Sequence, residues 1–112
     1  IVYVKIASGA DGKVFRTVYN DGESIQMPVG FVYADASADA YVWIVTNGIA
    51  YALPESGVTA ARGNVVFCSN AESGRVEQSA TVPVAEHWRE CGHWLDTGSG
   101  AGALTRLFIH FN

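Results

Sequence analysis

Apolar and polar positions alternate along this chain in short runs of period two, and no segment sustains a helical period. Val2 to Ile6 and Lys13 to Tyr19 flank Gly9-Ala10-Asp11-Gly12, a hairpin signal because Asp-Gly tolerates positive φ. Asn20-Asp21-Gly22 marks the next turn. Ser24 to Met27 and Phe31 to Tyr33 lie either side of Pro28 and Gly30, the pattern of a bent or edge strand. Ala34 to Ala40 reads as a loop or a single helical turn. Tyr41 to Thr46 then meets Ile49 to Leu53 across Asn47-Gly48, the strongest two-residue hairpin signal in the chain. Further strands are expected at Asn64 to Cys68, Arg75 to Ser79, Trp88 to Leu95 and Ala103 to Phe111.

This pattern predicts an all-β fold, a compact single-domain β-barrel or β-sandwich of about nine to ten short strands with Gly-rich turns. The domain spans residues 1–112, with 1–12 read as an N-terminal arm or strand and 97–102 as a flexible Gly-rich loop. No internal repeat, linker or heptad interrupts it.

Two strands carry more information than the rest. Both faces of Tyr41-Val42-Trp43-Ile44-Val45-Thr46 are apolar, so the strand is expected either at the centre of the core or with one face at an interface. In the terminal strand Leu107, Ile109 and Phe111 share one face, which reads as core. Arg106, Phe108 and His110 share the other, which reads as covered but not dry.

Composition sharpens the interface reading. Of 112 residues, 49% are hydrophobic and only 16% charged, against about 25% charged in an average soluble protein. A small domain has much surface for its volume and needs polar residues to cover it; this one is short of them, which suggests that part of its surface is buried against a partner. The net charge is −4 and the seven basic residues are scattered, so no basic stripe exists to follow a phosphate backbone. No run approaches the roughly 18 apolar residues of a membrane span. No secretory leader is read at the start, although a chain beginning at Ile1 leaves a removed leader open.

Two cysteines, Cys68 and Cys91, are too few for a disulfide-built scaffold and sit among strand-core neighbours. Buried thiols are the plainer reading and a single disulfide the alternative.

Candidate chemistry concentrates in His87-Trp88-Arg89-Glu90-Cys91-Gly92-His93-Trp94, where His87, Cys91 and His93, with Glu86, Glu90 and Asp96 nearby, are residue types that bind zinc. On an extended strand residues 87 and 93 would stand about 20 Å apart, at roughly 3.3 Å per residue, whereas metal ligands converge within about 2.3 Å of one ion. Cys91 and His93 share a face by strand parity and could share a metal; His87 could not without a bend. No CxxC or HxxxH pair supports a metal, and no metal or cofactor is expected. Cys91 and His93 also supply two members of a nucleophile-and-base set, but no oxyanion element accompanies them, so no catalytic residue is named and an enzyme is not expected. The Gly98 to Gly102 loop lacks the Gly-Lys-Ser/Thr ending of a phosphate loop and leads into a strand. Trp43, Trp88 and Trp94, with Tyr3, Tyr19, Tyr33, Tyr41 and Tyr51, could build a sugar-stacking platform, a subunit interface or simply core.

The order of segments from about residue 40 onward resembles that of the small β-barrel head-decoration, or cement, proteins of tailed bacteriophages. The resemblance rests on Gly48-Ile49-Ala50-Tyr51-Ala52-Leu53-Pro54, Gly63-Asn64-Val65-Val66-Phe67, Gly74-Arg75-Val76, Cys91-Gly92-His93-Trp94-Leu95 and the terminal stretch Gly100 to Asn112. It is one of layout, and His87 to Trp94 is richer in aromatics and His than that layout requires. The resemblance implies a structural virion protein on the capsid exterior, assembled in the host cytoplasm, whose partners are the major capsid protein and further copies of itself in a trimer, with neither nucleic acid nor membrane as partner. Such a protein binds the expanded head at capsomer junctions and stabilises the lattice by mass action. The expected association residues are Tyr41, Trp43, Trp88, Trp94 and Phe108, on the usual aromatic enrichment of interfaces. The alternative is a carbohydrate- or receptor-binding β-domain of a virion tail or spike or of a secreted protein.

Overall fold

The computed structural model describes residues 28–81 and 90–111 in full, and the backbone alone of residues 2–3 and 15–16. The described strands are β1 (Val2–Tyr3), β2 (Phe15–Arg16), β3 (Pro28–Val32), β4 (Ile44–Val45), β5 (Gly48–Ala52), β6 (Val65–Cys68), β7 (Val76–Ser79), β8 (Glu90–Trp94) and β9 (Thr105–Ile109). They form two antiparallel sheets, ordered β2-β1-β3-β4 and β5-β9-β8-β6-β7. The all-β class holds. Seven of these strands, β3–β9, lie within the fully described residues, below the nine to ten that the pattern had suggested. Among the described residues there is no helix.

The larger sheet does not close into a barrel. Its two edge strands, β5 and β7, touch at a single parallel bridge where the chain leaves β5: Val76 N donates to Leu53 O and Glu55 N to Val76 O, each at 3.0 Å. Edges that meet at one point and nowhere else mean a strongly curled sheet with an open seam.

One hairpin expected from the sequence is absent. Asn47-Gly48 does not fold β4 back on β5; β4 pairs with β3, and β5 pairs with β9 over its whole length. Gly48 has φ +84° and its N–H is held by Asn47 Oδ1 at 2.9 Å. The left-handed turn that would have closed a hairpin instead passes the chain from one sheet to the other. The β6–β7 hairpin does form, its loop organised by Ser69, whose hydroxyl accepts from the N–H of Ala71 and Glu72 and donates to Glu55 Oε1.

Among the described residues, the main buried cluster brings β3 against the larger sheet. Phe31 of β3 packs with Ala50, Val66, Val76, Trp94 and Leu107 of the larger sheet, and Phe31 stacks on Phe111 with ring centroids 6.3 Å apart. Burial of each large side chain here is worth about 1.5–3 kcal/mol. The terminal strand keeps its expected core face, with Leu107 and Ile109 buried, while Arg106 and Phe108, expected to be covered, are exposed. The Gly98–Gly102 loop is tied at both ends, with Gly98 N donating to Ala60 O and Gly102 N to Val58 O, each at 2.8 Å.

Candidate functional site

Strand β5 places its side chains in an unusual order. Ala50 and Ala52 point inward, while Ile49 and Tyr51 point out and are more than half exposed. Across the ladder Ile49 is paired with Phe108 and Tyr51 with Arg106, so an aliphatic and an aromatic stand side by side on the outer face. A second exposed apolar group lies at the edge of the smaller sheet, where Tyr33 and Trp43 are 76% and 81% exposed. Tyr33 N donates to Trp43 O at 2.9 Å, which holds the two segments together. With Ile44 and Val45 they line an open groove of about 370 Å³ whose walls are almost wholly apolar.

The five expected association residues divide accordingly. Tyr41, Trp43 and Phe108 are exposed. Trp88 lies outside the described residues, as do His87 and Tyr19. Trp94 does not belong on the surface: it is 1% exposed in the middle of the core, its indole N–H without a hydrogen-bond partner among the described residues. Tyr41 and Trp43 are also not on a central strand, since only Ile44–Val45 is extended there. Ile49 was missed as a surface residue; its alternation with Ala50 was the available signal.

Trp94 is turned into the core by an irregularity in β8. Val66 is paired with Gly92 but Phe67 with Glu90, so the ladder shifts register by one residue at Cys91. This bulge reverses strand parity across itself. Cys91 joins Trp94 in the core, and Glu90 joins His93 on the opposite face. Cys91 and His93 therefore do not share a metal or act as nucleophile and base. Cys91 instead lies with its Sγ 3.9 Å from Sγ of Cys68, both as thiols. Burial, together with the Cys68 thiol beside it, pushes the Cys91 thiol well above the usual range.

On the outer face the bulge assembles a polar cluster. His93 Nδ1 lies 2.6 Å from His110 Nε2, with ring centroids 4.7 Å apart. Glu90 Oε1 is 3.4 Å from the same Nε2, an ion pair whenever His110 is protonated. Glu90 is 5% exposed and is paired across the ladder with the buried Phe67, while His110 is only partly covered. These are the residues that could hold a metal ion: one ligand atom from each of Glu90, His93 and His110 lies within 4.8 Å of the others.

Asp96 and Arg106 make a two-pronged ion pair on the surface, at 2.7 and 3.1 Å. The Arg106 hydrogen bond holds the Asp96 carboxyl below the ordinary carboxylate range, and Asp96 raises Arg106 in turn. Such an exposed pair fixes local geometry more than it stabilises.

No helix among the described residues is long and apolar enough to cross a membrane. No family model, curated protein or solved structure matches this chain.

Proposed function

We propose that this chain is a structural association module: a phage capsid decoration protein that binds the outer surface of the expanded head at capsomer junctions, as a trimer, through its exposed aromatic surface. The observation that carries this reading is β5, which turns its large residues Ile49 and Tyr51 to the outside and its alanines to the core. Each large apolar side chain left in water forgoes about 1.5–3 kcal/mol of burial. A surface of this kind is consistent with cover by a partner. Phe108 extends it across β9, and Tyr33 and Trp43 add a second patch. The segment order shared with decoration proteins supports the capsid as that partner, and the low charge content suits an interface core.

Carbohydrate or receptor binding is the second reading, favoured by the exposure of Trp43 beside Tyr33. Sugar sites combine a stacking face with several polar side chains that fix hydroxyl groups. The groove lined by Tyr33, Trp43, Ile44 and Val45 has few polar atoms to offer, which favours a protein partner.

Co-sedimentation with expanded phage heads stripped of decoration, with unexpanded procapsids as control, tests the proposal. Saturable binding to expanded heads alone, in a trimer-compatible ratio, is the expected result. Binding to neither particle would remove the capsid reading and make a glycan screen the next step.

A further inference from the structure

We propose that Glu90, His93 and His110 form a binding site for a late first-row divalent cation, with zinc as the expected ion. This inference uses different residues from the association proposal, and His93 is paired with Phe108 on the same outer face.

The donor set has the right chemistry. Two imidazoles and a carboxylate suit zinc and its neighbours, and three protein ligands leave a fourth position for water. Two of the three spacings are near those of a bound ion, and the third lies within 4.8 Å. Two ligand atoms on one tetrahedral zinc, each about 2.0–2.1 Å from it, stand about 3.3 Å apart. Glu90 Oε1 and His110 Nε2 are already 3.4 Å apart. His93 Nδ1 and His110 Nε2, at 2.6 Å, are closer because they share a hydrogen bond. Of two facing imidazole nitrogens, one must carry the proton and the other present its lone pair. A metal ion takes the place of that proton, and the rings need part by only about 0.7 Å to admit it.

The backbone positions the donors. The Cys91 bulge sets Glu90 and His93 on one face, and His110 is held beside them by its own N–H, which donates to Cys91 O at 2.9 Å. A bound ion would therefore tie β8 to the end of β9. Glu90 is nearly fully buried beside Phe67, so its charge gains more from a cation than an exposed carboxylate would. The partly exposed His110 leaves the site open to solvent.

The test is calorimetric titration of the untagged, chelator-treated full chain with zinc chloride at neutral pH, followed by cobalt(II) spectroscopy. One equivalent of zinc is expected to bind in the micromolar range or below, with a rise in Tm. H93Q, H110Q and E90Q, each checked for native circular dichroism, should weaken binding by more than about tenfold. Cobalt should give visible d–d bands without an intense near-ultraviolet thiolate band. That spectrum is read on the unaltered chain, so it decides the matter even if a variant fails to fold. No zinc uptake by the folded chain would overturn the proposal. So would undiminished uptake by folded H93Q and H110Q, or a thiolate band, which would move the ion to Cys68 and Cys91.

Discussion

Glu90 and His93, three residues apart on β8, stand on the same face of the sheet because the pairing of β8 with β6 shifts register between them. Gly92 makes this arrangement feasible. A Cβ built at Gly92 would run into the backbone carbonyl oxygen of Phe108 on β9, and its φ of +156° is one that side-chain-bearing residues rarely adopt. Backbone cannot rotate away as a flexible side chain can, so the strands would have to separate.

Gly92→Ala is therefore expected to destabilise the fold by about 2–4 kcal/mol. Gly100→Ala, with open space around its Cβ, should change stability by less than about 0.5 kcal/mol. Urea unfolding of both variants checks this, and equal midpoints would contradict the account of the bulge.

The cysteines should be chemically silent in the folded chain. Cys68 and Cys91 are both buried, and Cys91 is pushed upward by that burial and by its neighbour. The thiolate is the reactive form, so little of it exists at neutral pH. A colorimetric thiol reagent at pH 7.5 should react with neither cysteine natively and with both in denaturant. Rapid native modification would revive the nucleophile reading.

Acid sensitivity should involve Glu72. Its carboxylate accepts hydrogen bonds from the Ser56 hydroxyl and, at 2.6 Å, from Ser56 N–H, and these hold its pKa below the ordinary value. A folded-state pKa below the unfolded one contributes stability above the unfolded value, about 4.3 for Glu, and loses it as pH falls through the folded value. Wild type should exceed Glu72→Gln in Tm at pH 7, with the gap closing as the pH drops below about 4. A gap that persists unchanged under strong acid would contradict the assignment.

The two described tryptophans should respond oppositely to truncation. Trp94→Ala opens a large cavity and is expected to cost about 3–5 kcal/mol. Trp43→Ala removes an exposed ring and should cost less than about 0.5 kcal/mol. Denaturant melts distinguish these outcomes, and a large loss from Trp43→Ala would make that residue structural.

Much of the fold was legible wherever a local rule held. The alternation of Leu107 and Ile109 with Arg106 and Phe108 placed β9 and its core face correctly, and Gly63 and Gly74 announced β6 and β7. What failed was non-local. Asn47-Gly48 specifies a left-handed turn but not which strands it joins, and the partners were settled by β3 and β9. Strand parity through Glu90-Cys91-Gly92-His93-Trp94 fails at the bulge, which is a property of the pairing with β6. For that reason the sequence joined Cys91 with His93, left Glu90 as a neighbour only, and missed His110 as a partner of His93.

Head binding by a surface variant tests the central claim most directly. Trp43→Ser combined with Phe108→Ser should leave Tm close to wild type, because both rings are exposed, yet weaken saturable binding to expanded heads by more than about tenfold, as loss of interface anchors does. A folded double variant that binds as tightly as wild type, or a wild-type chain that does not bind, would contradict association through this aromatic surface.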